Sequence, residues 1–282
     1  METVSKKFIL GAVAPLACFF LLYHQVIARL VKDWQDNDNY SHGFLIVPIA
    51  LYFVWERRRA LKEAEQKPSV WGLVIAAGSV ATLLAGTIGF EFFLPRISML
   101  CFLAGAVLFL FGWNHLRILI GPIAFLLLMI PIPAIIFNHI VFPLQLLASQ
   151  FGESLINLCQ IPVLREGNVL HLANTSLEIV EACSGIRSLV SLLTLGIVYG
   201  YIIDSRTWVR ILLTVGTVPI AIVANGLRVA GTGVAAHFYG PEAAEGFSHT
   251  FSGWIIFIAA FIMLFVLHRI IVLIAPRKET AL

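Results

Sequence analysis

Three side chains in this sequence have the types needed for acyl chemistry. Cys183 lies in Glu181-Ala-Cys-Ser-Gly-Ile-Arg187, immediately before a long apolar run. A thiol attacks as the thiolate, and with an ordinary pKa of about 8.5 it needs a base or a positive field nearby. A following helix N-terminus would supply part of that field. Ser184 and Gly185 would let a substrate backbone come close. His249, in Gly246-Phe-Ser-His-Thr-Phe-Ser-Gly-Trp254, can take a proton from a thiol and return it to a leaving amine. Arg228, in Ala224-Asn-Gly-Leu-Arg-Val229, can donate to an oxyanion.

Each has a plainer reading. Cys183 could be a buried small hydrophobe, as Cys18 and Cys101 are expected to be. His249 could be an interfacial histidine satisfied by water. Arg228 could snorkel to headgroups or pair with Glu181 or Glu245, although an arginine at membrane depth is costly and by default functional. Arg187 has the same two readings; its i,i+4 offset from Cys183 puts it beside the thiol as a structural partner, with Glu181 near. His24, His42, His115, His139, His171, His237 and His268 compete for the base role, and His42 and His171 are expected on the same side as Cys183.

These residues must be positioned by membrane helices. The chain has 282 residues, 59% of them apolar and 12% charged. No soluble domain of this size could hide that much apolar surface, so lipid is part of its solvent. Apolar runs fall at 8–31, 42–55, 70–90, 97–112, 117–137, 185–203, 208–227 and 250–274. The two short runs extend back toward Tyr40 and Phe92. The expectation is a single all-α integral membrane domain over 1–282, a polytopic bundle of about eight spans. The first run is too long for a signal-peptide core and lacks a small-residue cleavage site, so it reads as a retained helix.

With the N-terminus inside, thirteen of the nineteen Lys and Arg residues face the cytoplasm, among them Arg57, Arg58 and Arg59. That N-in, C-in topology puts Cys183, Arg228 and His249 on one external face, together with the polar segment Asp33–His42. Residues 138–182 form the expected extramembrane segment. Within it, 163–172 and 173–181 read as two extended stretches around a turn at Asn174–Ser176, a hairpin that would deliver Glu181 and Cys183 to the next span. The sequon Asn174-Thr175-Ser176 is disregarded, since such tripeptides arise by chance. The four cysteines have no metal-ligand spacing and no disulfide framework, so no metal and no cofactor is expected. The net charge of +3 gives no reason to expect nucleic acid.

Glu-Ala-Cys-Ser-Gly-Ile-Arg-Ser, Asn-Gly-Leu-Arg-Val and Phe-Ser-His, in this order in a multi-span chain, resemble the exosortases, bacterial membrane cysteine proteases. Asn39-Tyr-Ser-His-Gly-Phe-Leu-Ile-Val-Pro48 resembles that family's N-terminal block, and the likeness covers roughly 35–275. The resemblance implies Cys183 as nucleophile, Arg228 as oxyanion and substrate stabiliser, and His249 as general acid/base. Glu181, Ser184, Arg187, Asn225, Ser248 and His42 would support them. It implies substrates that are secreted proteins with a C-terminal Pro-Glu-Pro motif, one transmembrane helix and a basic tail. An amine acceptor could resolve the acyl-enzyme, at the outer face of the bacterial inner membrane. The sequence stops soon after the last span, so a further C-terminal soluble domain is not expected.

Two other classes compete. A transporter or channel would line a pathway with Arg187, Arg228 and Glu181 and exploit breaks at Pro131, Pro133, Pro219 and Gly226. However, the charges cluster at one face and no inverted repeat is visible. A lipid-linked acyl or glycosyl transferase would want a carboxylate or histidine base.

Overall fold

The computed structural model describes residues 2–173, 175–179, 186–240 and 247–276, with the side chains of 2–14, 186–187 and 247–252 outside the description. Helix makes up 81% of the structure, with one small sheet, so the fold is an all-α membrane protein. The helices are α1 (Glu2–Asp36), α2 (Gly43–Glu56), α3 (Arg58–Glu63), α4 (Trp71–Ile88), α5 (Phe93–Phe111), α6 (Trp113–Phe125), α7 (Ala134–Leu158), α8 (Ile186–Ile203), α9 (Thr207–Tyr239) and α10 (Phe247–Ile274). Among the described residues six helices are long and apolar enough to cross a membrane, and Trp113–Met129 and Ser188–Ile203 are shorter apolar helices. The chain divides into two compact units, Met1–Pro133 and Ala134–Leu282.

In the first unit α4 and α5 form a tight hairpin. A methyl group on Gly72 would lie 2.2 Å from the backbone nitrogen of Phe109, so only glycine permits this approach. Tyr23 of α1 is fully buried, against Phe102 and within reach of the Ser98 hydroxyl, which donates to it at 3.2 Å. Trp34 Nε1 donates to the Met129 carbonyl at 2.9 Å, and His42 Nε2 donates to the Leu128 carbonyl at 3.0 Å. These two bonds serve the 3₁₀ turn Leu126–Met129, where carbonyls lose helical partners before Pro131 and Pro133.

Two sequence expectations change here. The apolar run 117–137 ends early: α6 and the 3₁₀ turn stop at Met129, and the prolines break the chain over 130–133. The expected extramembrane segment 138–182 instead begins with α7, a 25-residue helix of span length with a mean hydropathy of 1.4. Its polar residues, such as Gln145, Gln150 and Glu153, are spread through an apolar sequence and broke up the run without breaking the helix. Counting crossings from the N-terminus therefore no longer assigns a side to the later helices.

In the second unit α8, α9 and α10 pack on a shared core of Leu192, Leu213, Ala221, Ala224, Ala260 and Leu264, with other apolar residues. Glycines set the spacing: methyl groups on Gly196 and Gly216 would come within 2.4 Å of Thr217 Cγ2 and 2.5 Å of Leu267 Cδ2. α9 has 33 residues and runs through Pro219 and Gly226 without interruption. It continues past the expected end at 227, and this part packs closely on α7, with Gly226 against Phe151, Val229 against Gly152 and Gly233 against Ile156.

The sheet is antiparallel in the order β1 (Val163–Glu166), β2 (Val169–Leu172), β3 (Ser176–Glu178). The expected hairpin exists, but its first turn is Gly167–Asn168, where Gly167 has φ +63. Glycine at the first central position of a two-residue loop fits a type II′ turn, which breaks the stretch read as one strand over 163–172. The sheet docks through Leu170, Leu172 and Ile179 against Ile156 of α7 and Val229 and Ala230 of α9. Arg165 Nε donates to Glu153 at 3.0 Å, tying β1 to α7.

Candidate active site

Contacts along α8, α9 and α10 define where the candidate residues stand. Gly196 meets Thr217, and Gly200 meets Arg210 and Leu213, so α8 and α9 run antiparallel. Carried along the helices, this register places Ile186, the first residue of α8, level with the Ala224–Leu227 turn of α9, within about one turn of Arg228. Gly216 against Leu267 places Arg228 level with Ile255 of α10. Tyr199 Oη lies 3.0 Å from His268 Nδ1, and this contact independently sets Ile186 level with Ile255. The backbone of His249 is six residues nearer that end, about 9 Å along the axis. The start of α8, Arg228 and the start of α10 therefore gather at one end of the bundle.

Arg228 is half-buried and continues the stripe of Ala221, Ala224 and Asn225 at i+7, i+4 and i+3. Ala221 and Ala224 face the core shared with α8 and α10, so the arginine prolongs that face. Asn225 is buried at 4% exposure, and both Asn225 and Arg228 carry interactions of their own. Glu181, Cys183 and Ser184 lie outside the described residues. Arg187, Ser248 and His249 have helical backbones, and their side chains lie outside the description.

The chain is nevertheless anchored on both sides of Cys183. Ile179 is buried at 2% exposure in the cluster that holds Val229, and its N–H donates to the Asn168 carbonyl at 2.9 Å. Asn168 Nδ2 donates in turn to the Ile179 carbonyl at 3.2 Å. Cys183 follows Ile179 by four residues and precedes Ile186 by three, so covalent reach holds it within about 14 Å of one and 11 Å of the other.

The opposite end of this bundle is a network of salt bridges and hydrogen bonds. Arg206 grips Asp204 through Nε at 3.0 Å and Nη2 at 2.7 Å, and Nη1 donates to the Ala275 carbonyl at the end of α10 at 2.5 Å. Arg210 donates to the Asp204 and Tyr201 carbonyls at 2.6 and 3.1 Å. The bonds from Arg206 hold the Asp204 carboxyl well below the usual carboxylate range. This network closes the α8–α9 turn onto α10 and so fixes the register of the three helices.

Several of the other histidines have partners of their own. His42 belongs to the packing of the first unit through Leu128. His171 lies 2.8 Å from Ser176 Oγ and 3.5 Å from Glu166 within the sheet. His268 sits at the Asp204 end. Sequence reasoning missed the part of α7, whose Phe151 and Gly152 position the Gly226–Val229 turn. The signal was present as small residues at helical spacing: Ala148 and Gly152 on α7, Gly226, Ala230 and Gly233 on α9.

The transmembrane exosortase family matches residues 34–266. The chain belongs to this family, and the match takes in both units and all three candidate residues. No curated protein matches it, and no solved structure does. Membership accords with an enzyme of the cysteine-protease type in a multi-pass membrane protein.

Proposed function

We propose that the protein is a membrane endopeptidase and transpeptidase acting on C-terminal sorting signals through Cys183, Arg228 and His249. The observation that carries this is the convergence at one end of the second unit. The start of α8 after Cys183, the Arg228 turn of α9 and the first turn of α10 with His249 are brought there by three independent helix contacts. Cys183 Sγ attacks the carbonyl carbon at the sorting motif, and Arg228 donates to the oxyanion. His249 takes the thiol proton and gives it to the departing amine. The thioester is then resolved by water or by an amine acceptor. Glu181, Ser184, Arg187, Asn225 and Ser248 support the site as its neighbours in sequence.

Depth along the helices agrees with a substrate helix lying in the bilayer. From Thr207 to Arg228 α9 rises about 32 Å, one hydrocarbon thickness, and the 18-residue α8 covers about 27 Å. Exposed Trp254 stands at the same level on α10, as an interfacial aromatic would. The other end carries Arg206, Arg210 and Arg269, followed in sequence by Arg277 and Lys278, which supports its being the cytoplasmic end. The catalytic end would then face the periplasm of the inner membrane, whatever the number of preceding crossings. The substrates would be secreted proteins with a Pro-Glu-Pro motif, a transmembrane helix and a basic tail.

A transporter reading draws little support from α9, which is continuous through the proline and glycine that were candidates for a break. The deciding experiment is co-expression with a sorting-signal reporter. Cys183→Ala is expected to keep the fold, leave the reporter full-length and abolish the acyl-enzyme trapped in the parent. Normal processing by that variant would overturn the proposal.

A further inference from the structure

A cavity of about 150 Å³ lies in the first unit, away from the three candidate residues in sequence, between the C-terminal part of α1 and the α4–α5 turn. Arg29 and Glu91 both line it, and among the described residues no ion pair joins them. The Arg29 guanidinium stands 5.0 Å from the centre of the Phe92 ring, held as a cation over an aromatic face. Glu91 accepts from the N–H groups of Phe93 at 2.9 Å and Leu94 at 2.6 Å, which fixes the carboxylate at the start of α5. Arg96 also lines the cavity, but it is 7% exposed and neutralised by Asp33. The wall therefore presents one positive and one negative group, both held in place.

The surroundings are those of a membrane interface. α4 and α5 are each long and apolar enough to cross, so their connecting turn lies where the chain leaves the hydrocarbon. That turn exposes Ile88 at 77%, Phe90 at 85% and Phe92 at 50%, an apolar collar beside a charged cavity. Phe90 has φ 51, a backbone region that disfavours aromatic residues. The Glu91 N–H to Gly86 carbonyl bond at 2.9 Å closes this turn.

We infer that this cavity binds the headgroup of a zwitterionic phospholipid with a primary ammonium, its phosphate on Arg29 and its ammonium on Glu91. A simple anion would meet the Glu91 carboxylate, and a simple cation would meet Arg29. A phosphate joined to an ammonium satisfies both, while its acyl chains run along Ile88, Phe90 and Phe92. A trimethylammonium group cannot donate a hydrogen bond to Glu91, so ethanolamine is preferred to choline.

The test is native mass spectrometry of the full-length protein from nanodiscs holding equal amounts of phosphatidylethanolamine, phosphatidylcholine and phosphatidylglycerol. A parallel arm uses soluble O-phosphoethanolamine. Retention of phosphatidylethanolamine above both other lipids is expected, and Arg29→Gln should weaken it about fivefold, the effect of one interfacial cation. Arg29→Lys should keep most of the retention, and Glu91→Gln should erase the preference over phosphatidylcholine. Should Glu91→Gln fail to fold through loss of its capping bonds, the two Arg29 variants decide. Equal retention of the three lipids, a preference for phosphatidylglycerol, or retention unchanged in Arg29→Gln would overturn the inference. Binding of the soluble compound without lipid retention would overturn the membrane source.

Discussion

Two glycines of α9, Gly226 and Gly231, separate packing from propensity. An added methyl at Gly231 meets nothing within 4 Å, whereas at Gly226 it lies 2.7 Å from Cβ and 3.1 Å from Cγ of Phe151. Ordinary contact begins near 3.4 Å, so α7 and α9 must separate by about 0.7 Å to admit it. Phe151 Cβ is bonded to the α7 backbone, and no rotamer moves it away. Both substitutions to alanine gain up to about 1 kcal/mol of helix propensity. Only Gly226→Ala sets against this an overpacking cost of about 1–3 kcal/mol, so it should be the less stable of the pair by roughly that amount. Thermal unfolding in one detergent should place Gly226→Ala several degrees below Gly231→Ala. The separation falls within one turn of Arg228, and a displacement approaching 1 Å at a reacting centre costs up to about a hundredfold in rate. Reporter processing should therefore fall roughly ten- to a hundredfold in Gly226→Ala and stay near the parent value in Gly231→Ala. Equal midpoints together with equal processing rates would refute both the register and its link to the site.

Arg228→Lys should process the reporter severely less well at unchanged helical content, because an ammonium lacks the planar fork of donors; near-parental turnover would mark Arg228 as a snorkelling residue. Asp204→Asn should lower the unfolding midpoint at pH 7. The native carboxyl titrates below its unfolded counterpart, so its contribution is full above about pH 4 and is lost as the pH falls further, and the gap between parent and variant should narrow on acidification. A gap independent of pH would argue against the Arg206 pairing as its source. A membrane-impermeant maleimide should label Cys183 more slowly after incubation with a sorting-signal peptide while labelling of exposed Cys159 stays constant; equal protection of both would count against a thiol site at Cys183.

The sequence by itself determined the solvent and supplied the candidate residues for the chemistry. Apolar runs with few charges can only be membrane helices, and the blocks around Cys183, Arg228 and His249 were readable because catalytic residue types there stand out against an apolar background. That the start of α8, the Arg228 turn and the start of α10 come to one end follows from the alternating direction of three successive helices, whereas the membrane side of that end does not follow from them. The extent of α7 was not, because scattered polar residues broke its apolar run while its backbone bonds remained local to the helix. The turn at Gly167–Asn168 was missed because a single stretch of alternating residues does not reveal where a strand folds back; the docking of Leu170 and Ile179 on α9 decides it. Only the tertiary structure set the heights of the three segments that carry the candidate residues. Those heights depend on which glycine meets which side chain across helices, Gly196 with Thr217 and Gly216 with Leu267, and on the Arg206 bonds that hold the far end closed. Such contacts join positions 21 to 69 residues apart, a separation at which no local pattern specifies register.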